Sequence, residues 1–329
     1  MSIKNKVTAL FKESKELSVK EIADKTQASK QMVHIVLNQL LSEHFVEKLG
    51  RTPKTIYRLI TESNNKVSDD SGFYITENQR EFLNKNSLVV TESGNLLEGV
   101  DAFEYWCRQR KLPFAKTLDE FIQTKKKYSA YYHKSGIVNG TEKLKSTKGY
   151  SKIWLDELCY LDFYAIERFG KTRLGTLLHY AKQGQSKFLM HLMMNEIENR
   201  IKEFVRVNKA DAIAFVPPTI RREVQLMKYI QSSLHIAVPV VEIKKIGGII
   251  PVPQKSLSKL DERIRNAENT FAVTDQRSFK NLVLIDDAVG SGATLNQIAG
   301  KIKNKKVAQK VVGLAVVGSF KGFDVISDI

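Results

Sequence analysis

Residues 282–295 read LVLIDDAVGSGATL, and this stretch decides the expected fold class. Its first four residues are apolar, which is typical of a buried strand, and the carboxylates of Asp286 and Asp287 follow directly. A turn of small residues then opens a helix, where backbone N–H groups and the Ser291 and Thr294 hydroxyls converge on an anion. Paired carboxylates accept hydrogen bonds from vicinal hydroxyls. The stretch therefore predicts a site for a phosphorylated sugar.

Three widespread motifs do not fit the same stretch. A Walker A loop needs Lys after its last Gly, where this chain has Ala293. A G-x-S-x-G nucleophile elbow needs Gly at the positions of Val289 and Ala293. The dinucleotide fingerprint G-x-G-x-x-G fails at Leu295. These mismatches exclude the characteristic loops of P-loop nucleoside triphosphatases, serine hydrolases and dinucleotide-binding enzymes.

Strand and helix patterns alternate through the C-terminal half of the chain. Apolar runs at residues 212–216, 238–243, 282–285 and 311–317 are separated by helical patterns, of which the longest covers residues 188–204. Continuous apolar strands separated by helices indicate a mainly parallel sheet covered on both faces. Ligands of such sheets bind at the carboxyl ends of the strands. The predicted fold class is α/β, with the candidate site at that edge.

Residues 1–60 follow a different order, in which three helical patterns precede two strands. Ser18 and Ser29 are predicted to cap the second and third helices, and the third carries an apolar stripe that starts at Met32. The two strands flank a basic turn at residues 50–54. This order resembles the winged helix-turn-helix DNA-binding family. The predicted nucleic-acid contacts are Ser29, Lys30, Gln31 and His34 on the third helix, and Arg51 and Lys54 at the wing tip.

The charge of the chain favours an acidic partner. The 329 residues include 52 Lys or Arg against 36 Asp or Glu, a net charge of +16. The first sixty positions hold eleven basic and six acidic residues. Such an excess favours nucleic acid, although it says nothing about the fold. Use of the N-terminal segment for protein docking or dimerisation stays open as the alternative.

Composition excludes several classes of protein. Hydrophobic residues at 42% and charged residues at 27% are near the globular average, which excludes a disordered or low-complexity chain. No apolar run approaches the ~18 residues of a membrane span and the first residues lack a signal-type segment, so we expect a cytoplasmic protein without membrane contact. Cys107 and Cys159 lie far apart, and the six histidines show no metal-ligand spacing. Neither a disulfide framework nor a metal held by the protein is predicted.

The middle of the chain is less informative. Residues 61–72 are polar and predict a linker, and residues 73–170 predict a basic, helical insert or hood before an α/β domain at 171–329. Basic stretches with tyrosines suit base stacking beside a phosphate backbone, or else form solvated helices whose tyrosines cover a core edge. The tyrosines concerned are Tyr128, Tyr131, Tyr132 and Tyr150. Residues 160–164 predict a helical core segment.

The strand, acid pair and turn resemble the 5-phosphoribosyl 1-diphosphate (PRPP) loop of type I phosphoribosyltransferases. Residues 216–222 resemble the pyrophosphate loop of the ComF-like branch of that family, and residues 177–184 resemble one of its helices. The mobile loop of the branch is similar to a segment containing Gln254, Leu257, Ser258, Arg263, Asn266 and Phe271. The likeness covers about 150 residues.

This resemblance implies a PRPP site and phosphoribosyl transfer without a covalent nucleophile. The implied site residues are Asp286 and Asp287 for the ribose hydroxyls; Ala288, Val289, Gly290, Ser291, Gly292, Ala293 and Thr294 for the 5-phosphate; Pro217, Pro218 and Thr219 in the pyrophosphate loop; and Arg221, Arg222 and Arg263 for the pyrophosphate itself. The resemblance also implies Mg²⁺, carried mainly by PRPP. Displacement of pyrophosphate would then depend on positioning and on charge stabilisation. For each arginine, a surface ion pair is the alternative use.

The chain departs from the ComF-like pattern in two ways. The four-cysteine zinc ribbon of that branch is absent from the sequence, and Gly290 replaces the first hydroxyl residue of the turn. The first departure indicates that partner recognition has passed to the winged helix and the basic middle region. The second predicts weaker binding of the phosphate.

Two functions are compatible with this combination of domains. Fusions of this kind resemble the effectors of bacterial retron defence systems, which implies an anti-phage toxin that meets DNA or an RNA–DNA hybrid and a reverse transcriptase complex. The other interpretation is a PRPP-sensing transcriptional regulator without transferase activity, similar to the purine repressors of Gram-positive bacteria. Winged helices on palindromic sites and type I phosphoribosyltransferases both commonly form pairs, and the sequence leaves the oligomeric state and the acceptor open.

Overall fold

The computed structural model describes residues 3–14, 16–42, 45–49, 55–59, 75–133, 135–246 and 259–319. The chain divides into two compact units, Met1–Tyr74 and Ile75–Ile329. The predicted linker at 61–72 lies outside the described residues, as do the wing-tip residues Arg51 and Lys54 and the loop residues Gln254, Leu257 and Ser258.

The smaller unit packs three helices on a small antiparallel sheet. Its elements are α1 (Ile3–Glu13), β1 (Glu16–Ser18), α2 (Val19–Thr26), α3 (Lys30–Ser42), β2 (Val46–Leu49) and β3 (Ile56–Leu59). Over the described residues, β3 pairs with both β1 and β2. Ser18 caps α2 as predicted, since its hydroxyl accepts from Glu21 N–H and the Glu21 carboxylate accepts from Ser18 N–H. Phe11, Ile22 and Leu37 are fully buried in the core of this unit.

The larger unit alternates helices and strands. Its helices are α4 (Glu77–Asn86), α5 (Gly99–Gln109), α6 (Phe114–Ser129), α7 (Thr141–Ser146), α8 (Arg173–Gln183), α9 (Lys187–Val207), α10 (Leu226–Ser233), α11 (Leu260–Thr270) and α12 (Ala293–Asn304). Its strands are β4 (Leu88–Val90), β5 (Leu96–Glu98), β6 (Val138–Asn139), β7 (Glu157–Phe163), β8 (Ala165–Ile166), β9 (Gly170–Lys171), β10 (Ala212–Phe215), β11 (Val240–Val241), β12 (Ile243–Lys245), β13 (Phe271–Val273), β14 (Phe279–Val289) and β15 (Ala308–Gly318). In the ranges described, none of these helices has the length and apolar character that a membrane crossing requires.

A mainly parallel sheet forms the centre of the larger unit, as predicted. Counting described residues only, it has six strands in the order β11-β10-β14-β15-β7-β6, of which only β6 runs antiparallel to its neighbour. Leu282 and Leu284 of β14 face one core layer with α12, whereas Val283 and Ile285 face the other with α8 and α9. The sheet is therefore covered on both faces, which explains why its strands are continuous apolar runs.

The boundary predicted at residue 170 and the helix predicted at 160–164 are both wrong. Residues 157–163 form β7, which pairs with β15 inside the sheet, so the segment before residue 170 belongs to the same unit as the segment after it. Tyr160 and Leu161 are both buried because helices cover both faces of the sheet. Burial on both faces removes the period of two that distinguishes a strand from a helix in a sequence.

The tyrosines of the middle region mainly cover a core edge. The rings of Tyr128 and Tyr132 pack edge-on against Phe163, with centroids 4.9 and 5.7 Å away. Tyr150 is part of the same core boundary, whereas Tyr131 stays 45% exposed. This packing favours the structural alternative over base stacking for the three covered rings.

Candidate functional site

The acid pair lies at the carboxyl edge of the central sheet. The sequence predicted that Asp286 and Asp287 follow the end of the strand. Instead, β14 continues to Val289, so both residues belong to the last part of the strand. On one side Asp286 pairs in register with Ala315 of β15. On the other side β10 stops in register with Ile285, and the chain then leaves the sheet. The two carboxylates consequently border an opening at the sheet edge.

The two carboxylates have different surroundings. Asp287 is buried and its carboxylate forms an ion pair with the ammonium group of Lys182 on α8. The Asp287 N–H donates to Asp286 Oδ1 at 2.8 Å. Burial raises the pKa of Asp286 well above its usual range, the charge of Asp287 raises it further, and Lys182 opposes the shift. Asp286 is therefore the carboxyl group that gains most from a hydrogen-bond donor or a cation brought by a ligand.

The raised pKa of Asp286 predicts a stability that falls as the pH rises. The folded chain binds this proton more tightly than the unfolded chain, whose Asp pKa is ~3.9, so the free energy of unfolding decreases with rising pH between the two values. Asp286→Asn removes this loss. Each tenfold difference in proton affinity between the folded and the unfolded chain corresponds to about 1.4 kcal/mol in the free energy of unfolding.

We expect the melting temperature of Asp286→Asn to exceed that of the wild type more at about pH 8 than at about pH 5. Thermal melts of the unliganded protein measure this difference. Asp119→Asn, on the exposed surface of α6, is the control and should show no such trend. A pH-independent difference between Asp286→Asn and the wild type would contradict the assignment.

The turn between β14 and α12 lines the same opening. Gly292 has a φ of +83° and stands at the N-cap of α12. A Cβ at this position would also lie 2.9 Å from Leu144 Cδ1. Ser291 Oγ accepts weakly from Ala293 N–H at 3.4 Å. The first amides of a helix lack partners within the helix, so a turn at this place is able to bind an anion.

Replacement of Gly292 by Ala is expected to weaken binding of a phosphate-bearing ligand about tenfold. A side chain at positive φ costs roughly 1–2 kcal/mol, which the turn relieves by moving its N–H groups away from the ligand. Isothermal titration with PRPP measures the loss. Gly94→Ala is the matched control, since Gly94 has the same φ of +83° and lies in open space between β4 and β5. Equal losses in the two variants would show that the turn at Gly292 is not special.

A segment of the middle region holds the turn in place. The Tyr150 hydroxyl donates to Ser291 O at 2.8 Å. Asn296 of α12 is fully buried, and its Oδ1 accepts from the N–H groups of Trp154 and Leu155 at 2.7 and 3.3 Å. Sequence reasoning missed Asn296, and for Tyr150 it left open base stacking or a place at a core edge. A polar residue on the buried side of the helix after the turn was the available signal for Asn296.

These elements enclose a cavity of about 480 Å³ in the larger unit. Three stretches meet there: the acid pair with its turn, the loop after β10, and the segment with Arg263. The sequence predicted this last segment as part of a mobile loop, whereas residues 260–270 form the helix α11. The lining includes Asp286, Asp287, Ala288, Val289, Gly290, Ser291, Gly292, Ala293, Thr294, Pro217, Pro218, Thr219, Arg222, Arg263 and Phe271. Arg221 is exposed and is not among the lining residues. Within the described ranges, no group of three or more His, Cys, Asp or Glu side chains is placed to hold a metal ion.

Residues 182–185, at the end of α8 and in the link to α9, contact both the acid pair and the loop after β10. Lys182 reaches the acid pair. The next residue, Gln183, accepts a hydrogen bond from Arg222 Nη2 at 3.1 Å, and Gln185 accepts one from Val224 N–H at 2.9 Å. Residues 177–184 carry a family resemblance in sequence, but no role for the side chains of Lys182 and Gln183 was predictable from it. The segment at 182–185 therefore couples the acid pair to the loop after β10.

Arg263 contributes the third cation of the cavity wall. Burial lowers the pKa of its guanidinium, and the nearby Tyr150 phenol acts in the opposite direction. An arginine remains charged despite such a shift. A partly desolvated guanidinium interacts more strongly with an anion than an exposed one does, because the local dielectric constant is lower. The cavity thus combines two carboxylates with the cations of Lys182, Arg222 and Arg263.

Helix α3 of the smaller unit exposes the residues predicted to meet nucleic acid. Lys30, Gln31 and His34 are exposed. Ser29 caps the helix, with its Oγ 3.3 Å from the Met32 N–H. Met32, which the sequence placed on the buried stripe, is 42% exposed. The buried stripe starts instead at Val33.

Comparison with known proteins finds distant structural similarity only. No protein family model matches the sequence, and no curated protein matches it. A solved structure of adenine phosphoribosyltransferase is similar at 14% identity, over 44% of this chain and 79% of that chain, with a TM-score of 0.28. The strand order of the chain itself shows a mixed α/β protein with a mainly parallel sheet.

Proposed function

We propose that the larger unit binds PRPP and transfers its phosphoribosyl group, and that the smaller unit is a winged helix-turn-helix that binds nucleic acid. One observation carries the first part. The acid pair at 286–287, the glycine turn before α12 and the guanidinium groups of Arg222 and Arg263 all line one cavity. PRPP is a ribose with a phosphate at one end and a diphosphate at the other. These three parts match the amides of the turn, the acid pair and the guanidinium groups.

Each part of PRPP has a partner in the cavity. The turn at 290–294 would hold the 5-phosphate through backbone N–H groups and the Thr294 hydroxyl. Asp286 and Asp287 would accept hydrogen bonds from the two ribose hydroxyls. Arg222 and Arg263 would hold the diphosphate beside the loop at 217–219. The raised pKa of Asp286 is consistent with this use, because a hydroxyl donor compensates a buried carboxylate.

The residues support displacement at the anomeric carbon. The bond from this carbon to the diphosphate oxygen breaks, and the bond to the acceptor forms while the acceptor proton leaves to solvent. Arg222 and Arg263 would stabilise the charge that develops on the leaving diphosphate. Mg²⁺ prefers phosphate oxygens and would arrive with PRPP, which fits a cavity whose acid pair already has a Lys182 counter-charge.

The second part rests on the smaller unit. Its three helices and antiparallel sheet follow the order of a winged helix, and α3 exposes Lys30, Gln31 and His34. The net charge of +16 favours a polyanion. We propose DNA or an RNA–DNA hybrid as the partner, and a role as an anti-phage effector of the retron type, restrained by a reverse transcriptase complex. Winged helices and type I phosphoribosyltransferases commonly form pairs, and we include a homodimer in the proposal.

A PRPP-sensing regulator is the second candidate. Gly290 lacks the hydroxyl that the turn of type I phosphoribosyltransferases supplies, and the Asp287 carboxylate already forms an ion pair with Lys182. Both features favour reversible, weaker capture of PRPP over rapid turnover. In this case the ligand would alter DNA binding without being consumed.

One assay separates the two candidates. The full chain is incubated with Mg²⁺ and PRPP labelled in the diphosphate, with nucleobases, nucleotides or DNA as acceptors. Acceptor-dependent release of labelled diphosphate supports the transferase. No release, together with PRPP-dependent DNA binding, supports the regulator, and no binding of PRPP at all contradicts both.

A further inference from the structure

The outer face of α3 carries two large apolar side chains among polar ones. Ile35 is 58% exposed and Met32 is 42% exposed. An α-helix turns by about 100° per residue, so Ile35 lies between the exposed Gln31 and Gln39 on the outer face, with Met32 next to Gln39. Exposed apolar side chains are common singly on protein surfaces. On α3, by contrast, two such side chains lie on one exposed face among polar residues.

Charge identifies the kind of partner that covers this face. α3 contains no acidic residue and Lys30 lies in its first turn, whereas the two lysines and two acids of the preceding helix balance each other. This arrangement complements a polyanion. A second copy of the chain is a poor fit, because a stable protein interface needs about 800 Å² on each partner and two side chains supply only a small part of it.

The base edges of B-form DNA offer one apolar group in the major groove, the 5-methyl group of thymine. A-form duplexes have a deep and narrow major groove that a helix does not enter. We infer that α3 reads thymine methyl groups in duplex DNA, with Ile35 in contact with the methyl group and Met32 next to it. This inference rests on the proposed nucleic-acid binding of the smaller unit and adds the base that is read.

The test replaces thymine by deoxyuridine, which removes only the methyl group. The full chain is first used to select bound sequences from duplex DNA with a random centre. The enriched duplex is then made with each thymine in turn replaced by deoxyuridine. We expect about a fourfold loss of affinity at one or two positions, since one buried methyl group contributes about 0.8 kcal/mol.

Two variants assign the effect to its side chain. Ile35→Ala should bind the thymine duplex about as weakly as the wild type binds the deoxyuridine duplex, and should no longer distinguish the two. The substitution leaves no cavity, because the side chain is mostly exposed. Val207→Ala is the control, since Val207 is 61% exposed on α9 of the larger unit. This variant should retain the full discrimination.

The possible outcomes separate this inference from the proposed function. Equal affinity for thymine and deoxyuridine at every position overturns the inference but leaves DNA binding intact. Discrimination that persists in Ile35→Ala overturns the role of Ile35. Tighter binding of an RNA–DNA hybrid of the selected sequence overturns the choice of B-form DNA. Failure to bind any duplex contradicts the nucleic-acid function itself.

Discussion

The double substitution Asp286→Asn with Asp287→Asn is expected to reduce PRPP affinity more than a hundredfold. Each carboxylate would lose a charge-assisted hydrogen bond to a ribose hydroxyl, worth about 1.5–3 kcal/mol. Both carboxylates lie at the end of β14 and line the cavity. Isothermal titration with Mg²⁺ and PRPP measures the loss, and labelled-diphosphate release should disappear with it.

The fold of this variant has to be intact for the result to count. Asparagine keeps the shape of aspartate, and circular dichroism and thermal melting verify that the sheet is preserved. Asp119→Asn on α6 changes a carboxylate of the same unit at an exposed position outside the cavity lining, and should bind PRPP like the wild type. Retained PRPP binding by the double variant would show that the ligand site lies elsewhere.

Lys182→Met is expected to lower the free energy of unfolding by about 3 kcal/mol. Its ammonium group is the counter-charge of the Asp287 carboxylate, and the side chains are 25% and 11% exposed. Removal of one partner of a largely buried ion pair leaves an uncompensated charge, which costs about 3–5 kcal/mol, and the partial exposure of Lys182 places it at the lower end. Urea unfolding at neutral pH measures the difference.

A double-mutant cycle isolates the ion pair from other effects of the substitution. Asp287→Asn should recover most of the stability lost in Lys182→Met, because the uncompensated charge is then gone. Lys202→Met on the neighbouring helix α9 is the matched control. Its i,i+4 pair with Glu198 is more exposed, at 39% and 33%, and pairs of this kind contribute about 0.3–0.5 kcal/mol. Similar losses in both lysine variants would contradict a special role for Lys182.

Local sequence patterns predicted the elements that carry the site. The apolar run before Asp286 predicted a central strand, and the small residues at 290–293 predicted the turn before α12. The Ser18 cap of α2 was also predictable. These features depend on residues within a few positions of one another, so backbone geometry and hydrogen bonding encode them directly. The winged-helix and PRPP assignments remain predictions that the experiments above test.

The residues that complete the site depended on tertiary structure. Lys182 is 105 positions from Asp287, and Tyr150 is 141 positions from the Ser291 carbonyl that it holds. No local period reports such contacts, since they follow from the strand order and from the packing of α8 and the 150–155 segment on the sheet. β7 was mistaken for a helix because helices bury both its faces. The sequence by itself determined the acid pair, the glycine turn and the parallel sheet, because each follows from neighbouring residues. The tertiary structure alone decided which distant cations and amides surround that pair, since those contacts arise only when the sheet and its helices are assembled.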